Sequence, residues 1–428
     1  MHLRSPRRLR AAVVGAVALA LALTGCTASG PDFTYTPPKQ VDANLPDEMT
    51  AQLQAAVEQA MVATGSSGAI VGVWVPWSGR WVTGLGTQAA DDTTEVSTDM
   101  SFRVADVTRM MTCDVLYGMA DEGRVELDAP VPKYVSGVAD LSDITLLDLC
   151  NGTSGVGSSE SSAKMYWLNT PDREWAPLQL ASFGLGAQRG PAHTAYRDSD
   201  AGYLMLGLAL ERIAGKSASE LIDQYVVEPL QLTATSLPDA AGADPAPAPA
   251  LKGAYLPAVE GGYDCAAPID ITKSSSSIGF TDSGVVSTIS DLGRYVQAEA
   301  RQVLRAENAQ PARYGAPLPS SEKAPAWYQA TGGAYLVGSM IGQHGWVPGY
   351  ATAAYSDPAT GFTVAVTLNN STSGANPAAY LAWELAAIAS KAPAAEGETA
   401  PEFGLPFTSE QYAQAIADGA ICHAPAEE

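Results

Sequence analysis

The order of hydrophobic patterns predicts a mixed α/β (α+β) chain of two domains, in which one sheet is built from both chain ends around an inserted helical domain. Three observations carry this: a helix and a hairpin near the N-terminus, a long series of helical repeats in the middle, and a late switch to strand-like segments closed by a helix. Residues 47–63 repeat apolar Met49, Leu53, Val57 and Met61 every four positions, with Gly65 following, which predicts the first helix. "AIVGVWV" and "RWVTGLG" are joined by "PWSG" and read as a hairpin. Residues 107–122 are helical up to Gly123, "ITLLDL" is a short helical run closed by "NGTSG", and "AGYLMLGLALERIAG" and "ASELIDQYVVEPL" are helices. "DAAGADPAPAPALKG", residues 239–253, is a low-complexity loop, and "STISDLGRYVQAEARQVL" is an amphipathic helix. "GGAYLVG", "ATAAYSD" and "FTVAVTLNN" then read as strands and "PAAYLAWELAAIASK" as the closing helix. A linker and a last short helix near "SEQYAQAIADG" follow, and no internal repeat is present.

The chain start is a targeting segment. Residues 1–10 carry four arginines and no acid, and residues 11–23 are apolar but too short to span a bilayer. The run ends in "LTGC", which resembles a bacterial lipobox and implies cleavage before Cys26 and lipidation of its thiol. An ordinary signal peptide with a coincidental cysteine is the alternative. The expected organisation is a lipoprotein signal peptide over 1–25 and a flexible spacer over 26–45. A sheet domain follows from 46–100 and 325–392, then a helical domain from 101–324, with a tail over 393–428. The expected location is the extracytoplasmic face of the cell membrane.

The 428 residues include 46 acidic and 24 basic side chains, a formal net charge of −22 that becomes −26 without the four leader arginines. That balance repels nucleic acid, and no basic cluster offsets it. Besides Cys26, the chain has Cys113, Cys150, Cys265 and Cys422, an even set in an exported chain. This allows two disulfides in three connectivities, or buried free thiols.

"FRVADVTRMMTCDVLYGMADEGRVELDAPVPKYV", "ITLLDLCNGTSGV", "DSDAGYLMLGLALERIAG" and "GQHGWVPGYATAAYSDPATGFTVAVTLNN" together resemble serine β-lactamases and penicillin-binding proteins, in the class C β-lactamase and D-alanyl-D-alanine carboxypeptidase branch. "EPLQLTATSL" and "GVVSTISDLGRYV" fit the same template, so the resemblance spans roughly residues 46–392. It implies an antiparallel sheet flanked by helices, a helical domain, and a site in the cleft between them. It also implies that Cys113 pairs with Cys150, leaving Cys265 with Cys422.

The resemblance places the reactive positions, and this chain departs from the pattern at each of its three motifs. Family chemistry uses a serine nucleophile and a lysine base three residues on, one helical turn apart on one face. Those positions hold Asp106 and Arg109. A carboxylate attacking an amide would form an unstable anhydride, and a guanidinium stays protonated. The Tyr-x-Asn positions hold Asp198 and Asp200, with Tyr196 two residues upstream as a substitute base if the register slips. The His-x-Gly positions hold Gln343 and Gly345, with His344 a substitute only if a bulge turns it toward the cleft. Asp106 is also a favourable helix N-cap, worth about 0.5–2 kcal/mol over Ala.

The expectation is a cluster in which Asp106, Asp198 and Asp200 surround Arg109 and fill the former active site. Three carboxylates holding Ca²⁺ is a competing reading that Arg109 opposes, and a pocket for a peptide or glycan amine is another. No cofactor and no metal are expected. "SSAK" (Ser161, Lys164) and "SSEK" (Ser320, Lys323) match Ser-x-x-Lys but lack an apolar helix to bury the lysine, and Ser154 belongs to a turn. The resulting reading is a β-lactamase-related envelope lipoprotein without catalysis. It would bind or scaffold a peptidoglycan peptide or an envelope protein. The rival is a serine-hydrolase-type enzyme (D,D-peptidase, esterase or β-lactamase-like) using non-standard residues.

Overall fold

The computed structural model describes residues 35–239 and 247–423. The leader, the lipidation candidate Cys26, spacer residues 26–34 and loop residues 240–246 lie outside the described residues.

Eight strands form one antiparallel sheet. β1 (Gly68–Val75) and β2 (Gly79–Gly86) come from the N-terminal part. β3 (Leu318–Pro319), β4 (Tyr328–Thr331), β5 (Ala334–Val337), β6 (Met340–Val347), β7 (Tyr350–Ser356) and β8 (Thr363–Leu368) come from the C-terminal part. The order is β2-β1-β8-β7-β6-β5-β4-β3, so the two chain ends meet where β1 pairs with β8. β1, β7 and β8 are rich in β-branched and small residues and are buried almost throughout, as strands covered on both faces must be.

Two helical layers cover the sheet. On one face lie α1 (Asp47–Thr64), α8 (Asn376–Ala389) and α9 (Ser409–Asp418), with Trp383 of α8 packed edge-on against His344 of β6. On the other face lie α2 (Val107–Asp121) and α7 (Ile289–Ala300). There Gly293 of α7 leaves room for the Trp74 ring, and Asp106 at the start of α2 meets Gly345. α3 (Leu146–Asn151) and α6 (Asp200–Ala214) pack on α2, α5 (Pro177–Leu185) packs on α6, and α4 (Glu160–Asn169) packs on α5. The helices α4 and α5 and the strands β3 and β4 add to the elements read from sequence.

Both expected disulfides are present. Cys113–Cys150 joins α2 to α3 with Cα atoms 5.7 Å apart, and Cys265–Cys422 ties the C-terminal tail to the excursion after residue 254, at 5.9 Å.

Residues 35–45, read from composition as the end of a flexible spacer, lie against the body. Tyr35 is buried, its hydroxyl 3.1 Å from Gln297 Oε1, and Gln40 donates to the carbonyls of Val75 and Gly79.

A second feature hidden from the sequence is a buried charge centre beneath the site. Arg313, with no exposed side-chain surface, pairs with Asp114 of α2 and, at 2.6 Å, with Glu299 of α7. It also donates to the carbonyls of Met110 and Gly332. Tyr295 and Tyr314 donate to the same two carboxylates at 2.7 and 2.5 Å. Removing one partner of a buried charge set leaves the others uncompensated. Arg313→Met is expected to lower unfolding free energy by about 3–5 kcal/mol in urea titration; a loss under about 1 kcal/mol would show that the centre carries little.

Candidate functional site

The site is assembled at the N-terminus of α2. Ala105, immediately before it, has φ 52°, a left-handed conformation uncommon for a residue with a Cβ. The turn is held because the Ala105 carbonyl accepts from the Thr108 N–H at 3.0 Å and the Thr108 hydroxyl at 2.8 Å. The result pushes Asp106 out of the helix and toward β6. The expected capping role is not observed: Asp106 occupies the N-cap position with helical φ and ψ, and its side chain caps no backbone N–H. Its carboxylate instead turns to Arg109, 3.1 Å away. Gly345 is what makes room for it, since a Cβ there would sit 2.1 Å from Asp106 Cγ.

Arg109 is the centre. Its Nε donates to Asp282 Oδ1 at 2.7 Å, one terminal nitrogen to Asp198 Oδ1, and the other lies against Asp106. The guanidinium carbon sits 5.0 Å from the centroid of the Tyr203 ring, a cation–π contact. The side chains of Arg109, Asp106 and Asp282 are 4, 12 and 7 % exposed, whereas Asp198 is 53 % exposed. The cleft position is therefore filled, and Asp198 is the arm that reaches solvent.

Asp282 replaces Asp200 in the expected trio. It lies on a helical turn, Phe280–Ser283, wedged between α2 and α6. There Thr281 donates to the Tyr203 carbonyl at 2.8 Å and Thr112 to the Thr281 carbonyl at 2.6 Å. Gly207 permits the approach, as a Cβ there would fall 2.1 Å from Thr281 Oγ1. Asp200 begins α6 and accepts from the Ser159 N–H at 2.6 Å, which turns it away from Arg109. The cap of α6 is Ser199, which accepts from Gly202 N–H.

The two substitute groups do not converge on Asp106. Tyr196 donates to the Tyr335 hydroxyl at 3.1 Å, and burial raises its phenol well above the ordinary value, the wrong direction for a base. β6 pairs with β7 in unbroken register through Gln343↔Ala354, His344↔Ala353 and Gly345↔Thr352, so no bulge turns His344 to the α2 face. His344 stacks on Tyr335 and bonds the Tyr355 hydroxyl at 2.6 Å, and burial lowers its pKa to about 4, which keeps it neutral. Gln343 has a backbone role. The β5–β6 ladder stops at Tyr335↔Gly342, and the Gln343 amide bridges the gap beyond it. It donates to the Gly333 carbonyl at 2.9 Å and accepts from the His344 N–H at 2.8 Å.

Neither Ser-x-x-Lys pair is buried as a hydroxyl and its base would need to be. Ser161 is exposed on α4 and Lys164 lies 4.7 Å over the Trp346 ring, while Lys323 is exposed. Ser154 caps its own turn, accepting from Val156 N–H. Among the described residues no group of His, Cys, Asp and Glu is arranged to hold a metal ion.

Residues 53–387 match the beta-lactamase family, and the chain belongs to it. Among characterised relatives, it is similar to the D-alanyl-D-alanine-carboxypeptidase/endopeptidase AmpH of Escherichia coli, 27% identical over 209 residues, 46% of this chain and 49% of AmpH. It is also similar to the esterase/beta-lactamase LipL of Mycobacterium tuberculosis, 28% identical over 42% of this chain and 38% of LipL. The chain thus spans about half the length, or less, of these relatives. Among solved structures, a D-stereospecific amidohydrolase from Streptomyces sp. superposes with TM-score 0.65 at 24% identity, covering 76% of this chain and 95% of that one. A penicillin-binding protein homologue from Pyrococcus abyssi gives 0.61 at 17% identity, over 79% and 76%. These two likenesses show the fold.

Two outcomes are expected from this geometry. Gly345→Ala drives a methyl into Asp106 and should cost about 1–3 kcal/mol of stability. Combining it with Asp106→Gly should recover much of that loss, read as a coupling in a double-mutant cycle. The second concerns pH. Burial raises Asp282 to about 6, against the pull of Arg109. A carboxyl that holds its proton more tightly in the folded state makes stability fall as pH rises from its unfolded value, near 4, to about 6. In Asp282→Asn, urea unfolding at pH 4, 5 and 6 should show a shallower fall than in the parent; an unchanged slope would contradict the assignment.

Proposed function

We propose that this chain is a β-lactamase-family protein that has lost acyl-transfer chemistry and serves at the cell envelope as a binding or scaffolding module, anchored through a lipid on Cys26. One observation carries the reading: the nucleophile and base positions hold an aspartate and an arginine, and that arginine is locked by three carboxylates from three separate segments. A guanidinium raised further by those carboxylates cannot accept a proton from anything. Activating a hydroxyl would require a neutral base in reach of it, and Tyr196 and His344 both face other partners. The partner would be a peptidoglycan peptide or an envelope protein, meeting Asp198 first. The acidic chain disfavours nucleic acid.

The hydrolase names of AmpH and LipL favour the second reading, an enzyme working through non-standard residues. That reading needs a nucleophile other than the residue at the family position, where Asp106 stands paired with Arg109. Incubating the purified protein with a fluorescent penicillin and with a chromogenic ester separates the two. The expected result is no covalent adduct and no turnover above that of Asp106→Ala. An adduct mapped to a serine, or turnover abolished by a single cleft substitution, overturns the proposal.

A further inference from the structure

We propose that the face carrying the docked strap, residues 35–45, is the surface this protein turns toward the membrane. The inference rests on the anchoring reading above and adds which side of the fold the lipid surface meets. Its starting point is where the strap begins to dock. The Tyr35 ring is 5 % exposed beneath the Arg294 guanidinium, 5.1 Å from centroid to carbon, and Arg294 also donates to the Tyr35 carbonyl at 3.3 Å. From there the strap is bonded almost continuously to the body. Val41 N–H donates to the Pro76 carbonyl at 3.1 Å, Arg80 N–H to Ala43 at 2.8 Å, and Leu45 N–H to Arg80 at 3.2 Å. A Cβ at Gly361 would lie 2.8 Å from Pro38, so the strap also closes over the β7–β8 turn.

Only residues 27–34 separate Cys26 from Tyr35. Nine Cα–Cα steps, fully extended, span at most about 30 Å. A lipid on Cys26 therefore keeps Tyr35 within that distance of the bilayer, and the strap prevents the first docked residues from paying out more chain.

The face so placed is the end of the sheet where β1 leaves toward β2 and β7 turns into β8. Trp74↔Thr363, Ser356↔Thr363 and Ile341↔Ser356 mark that end in register. Lys39 and Arg80 project there, their side chains 78 and 51 % exposed, and exposed Arg301 donates to the Pro358 carbonyl in the same turn. Asp42 and Glu398 pair with Arg80 and Lys39. The face is thus close to balanced in a chain whose formal charge is −22, and it is the kind of surface an anionic bilayer tolerates. Gly345, the β6 residue that touches Asp106, lies four residues beyond Ile341, roughly 13 Å further from that end. The Arg109 cluster is set back from the membrane.

Lysine reactivity tests the placement. The acylated chain in vesicles of mixed zwitterionic and anionic lipid is compared with the soluble Cys26→Ala chain, each treated with an amine-reactive reagent and mapped by peptide mass. Intact mass reports acylation separately. Labelling of Lys39 is expected to fall several-fold in the acylated protein, with exposed Lys216, just past the end of α6, unchanged, and to recover when a long Gly/Ser segment is inserted between residues 27 and 35. Acylated protein with Lys39 fully reactive, or with Lys216 protected instead, overturns the orientation while leaving the anchor in place. A Cys26 without lipid removes the anchor and, with it, this surface.

Discussion

The Arg109 guanidinium organises the region between sheet and helices. Its three carboxylate partners come from the start of α2, from the segment before α6 and from the Phe280–Ser283 turn, so one side chain joins three segments distant in sequence. Burying such a set is not a cheap way to gain stability, because each ion loses its hydration and the attraction only partly returns it. Burial raises Asp106 well above the carboxylate range even beside the cation, which shows how closely desolvation and attraction compete here. What the cluster supplies is specificity of closure. A guanidinium with five donors in a fixed plane fits three oxygens arranged around it and nothing much larger.

The remainder of the site follows from that closure. Ala105 is held left-handed, Gly345 is kept bare and Gly207 admits the 280–283 turn, all so that the carboxylates can reach one point. The Arg313 centre continues the pattern along the same helix. Asp114 lies one and a half turns beyond Arg109 on α2 and ties that helix to α7 and to the β4–β5 turn through Arg313. The Cys113–Cys150 disulfide ties the same helix to α3. α2 is thus held along its length.

Much of this was legible in the sequence. The apolar periods marked α1, α2, α6 and α8, and the late strands stood out because buried central strands are rich in β-branched and small residues. Asp106, Arg109 and Asp198 were found together because their positions are tied to recognisable segments. Asp282 was not, because it sits in a four-residue turn with no periodicity and becomes a partner only through tertiary approach. Asp200 and Ser199 compete for one helix start, and which of them caps depends on the Ser159 N–H, far away in sequence. Gln343 serves a gap between strands that no spacing rule reveals. The docking of residues 35–45 is hidden because composition averages out Tyr35 and Gln40 and says nothing of the backbone bonds that Val41, Ala43 and Leu45 make to the body.

A locked guanidinium closes the cleft. Nitrogen-detected NMR of arginine-labelled protein observes this directly, with the Arg109 signal identified by its loss in Arg109→Lys. A guanidinium held by three carboxylates should show slow Nε–H exchange with solvent and terminal NH₂ groups resolved by hindered rotation. A rapidly exchanging, rotationally averaged Arg109 side chain would contradict it and reopen the cleft.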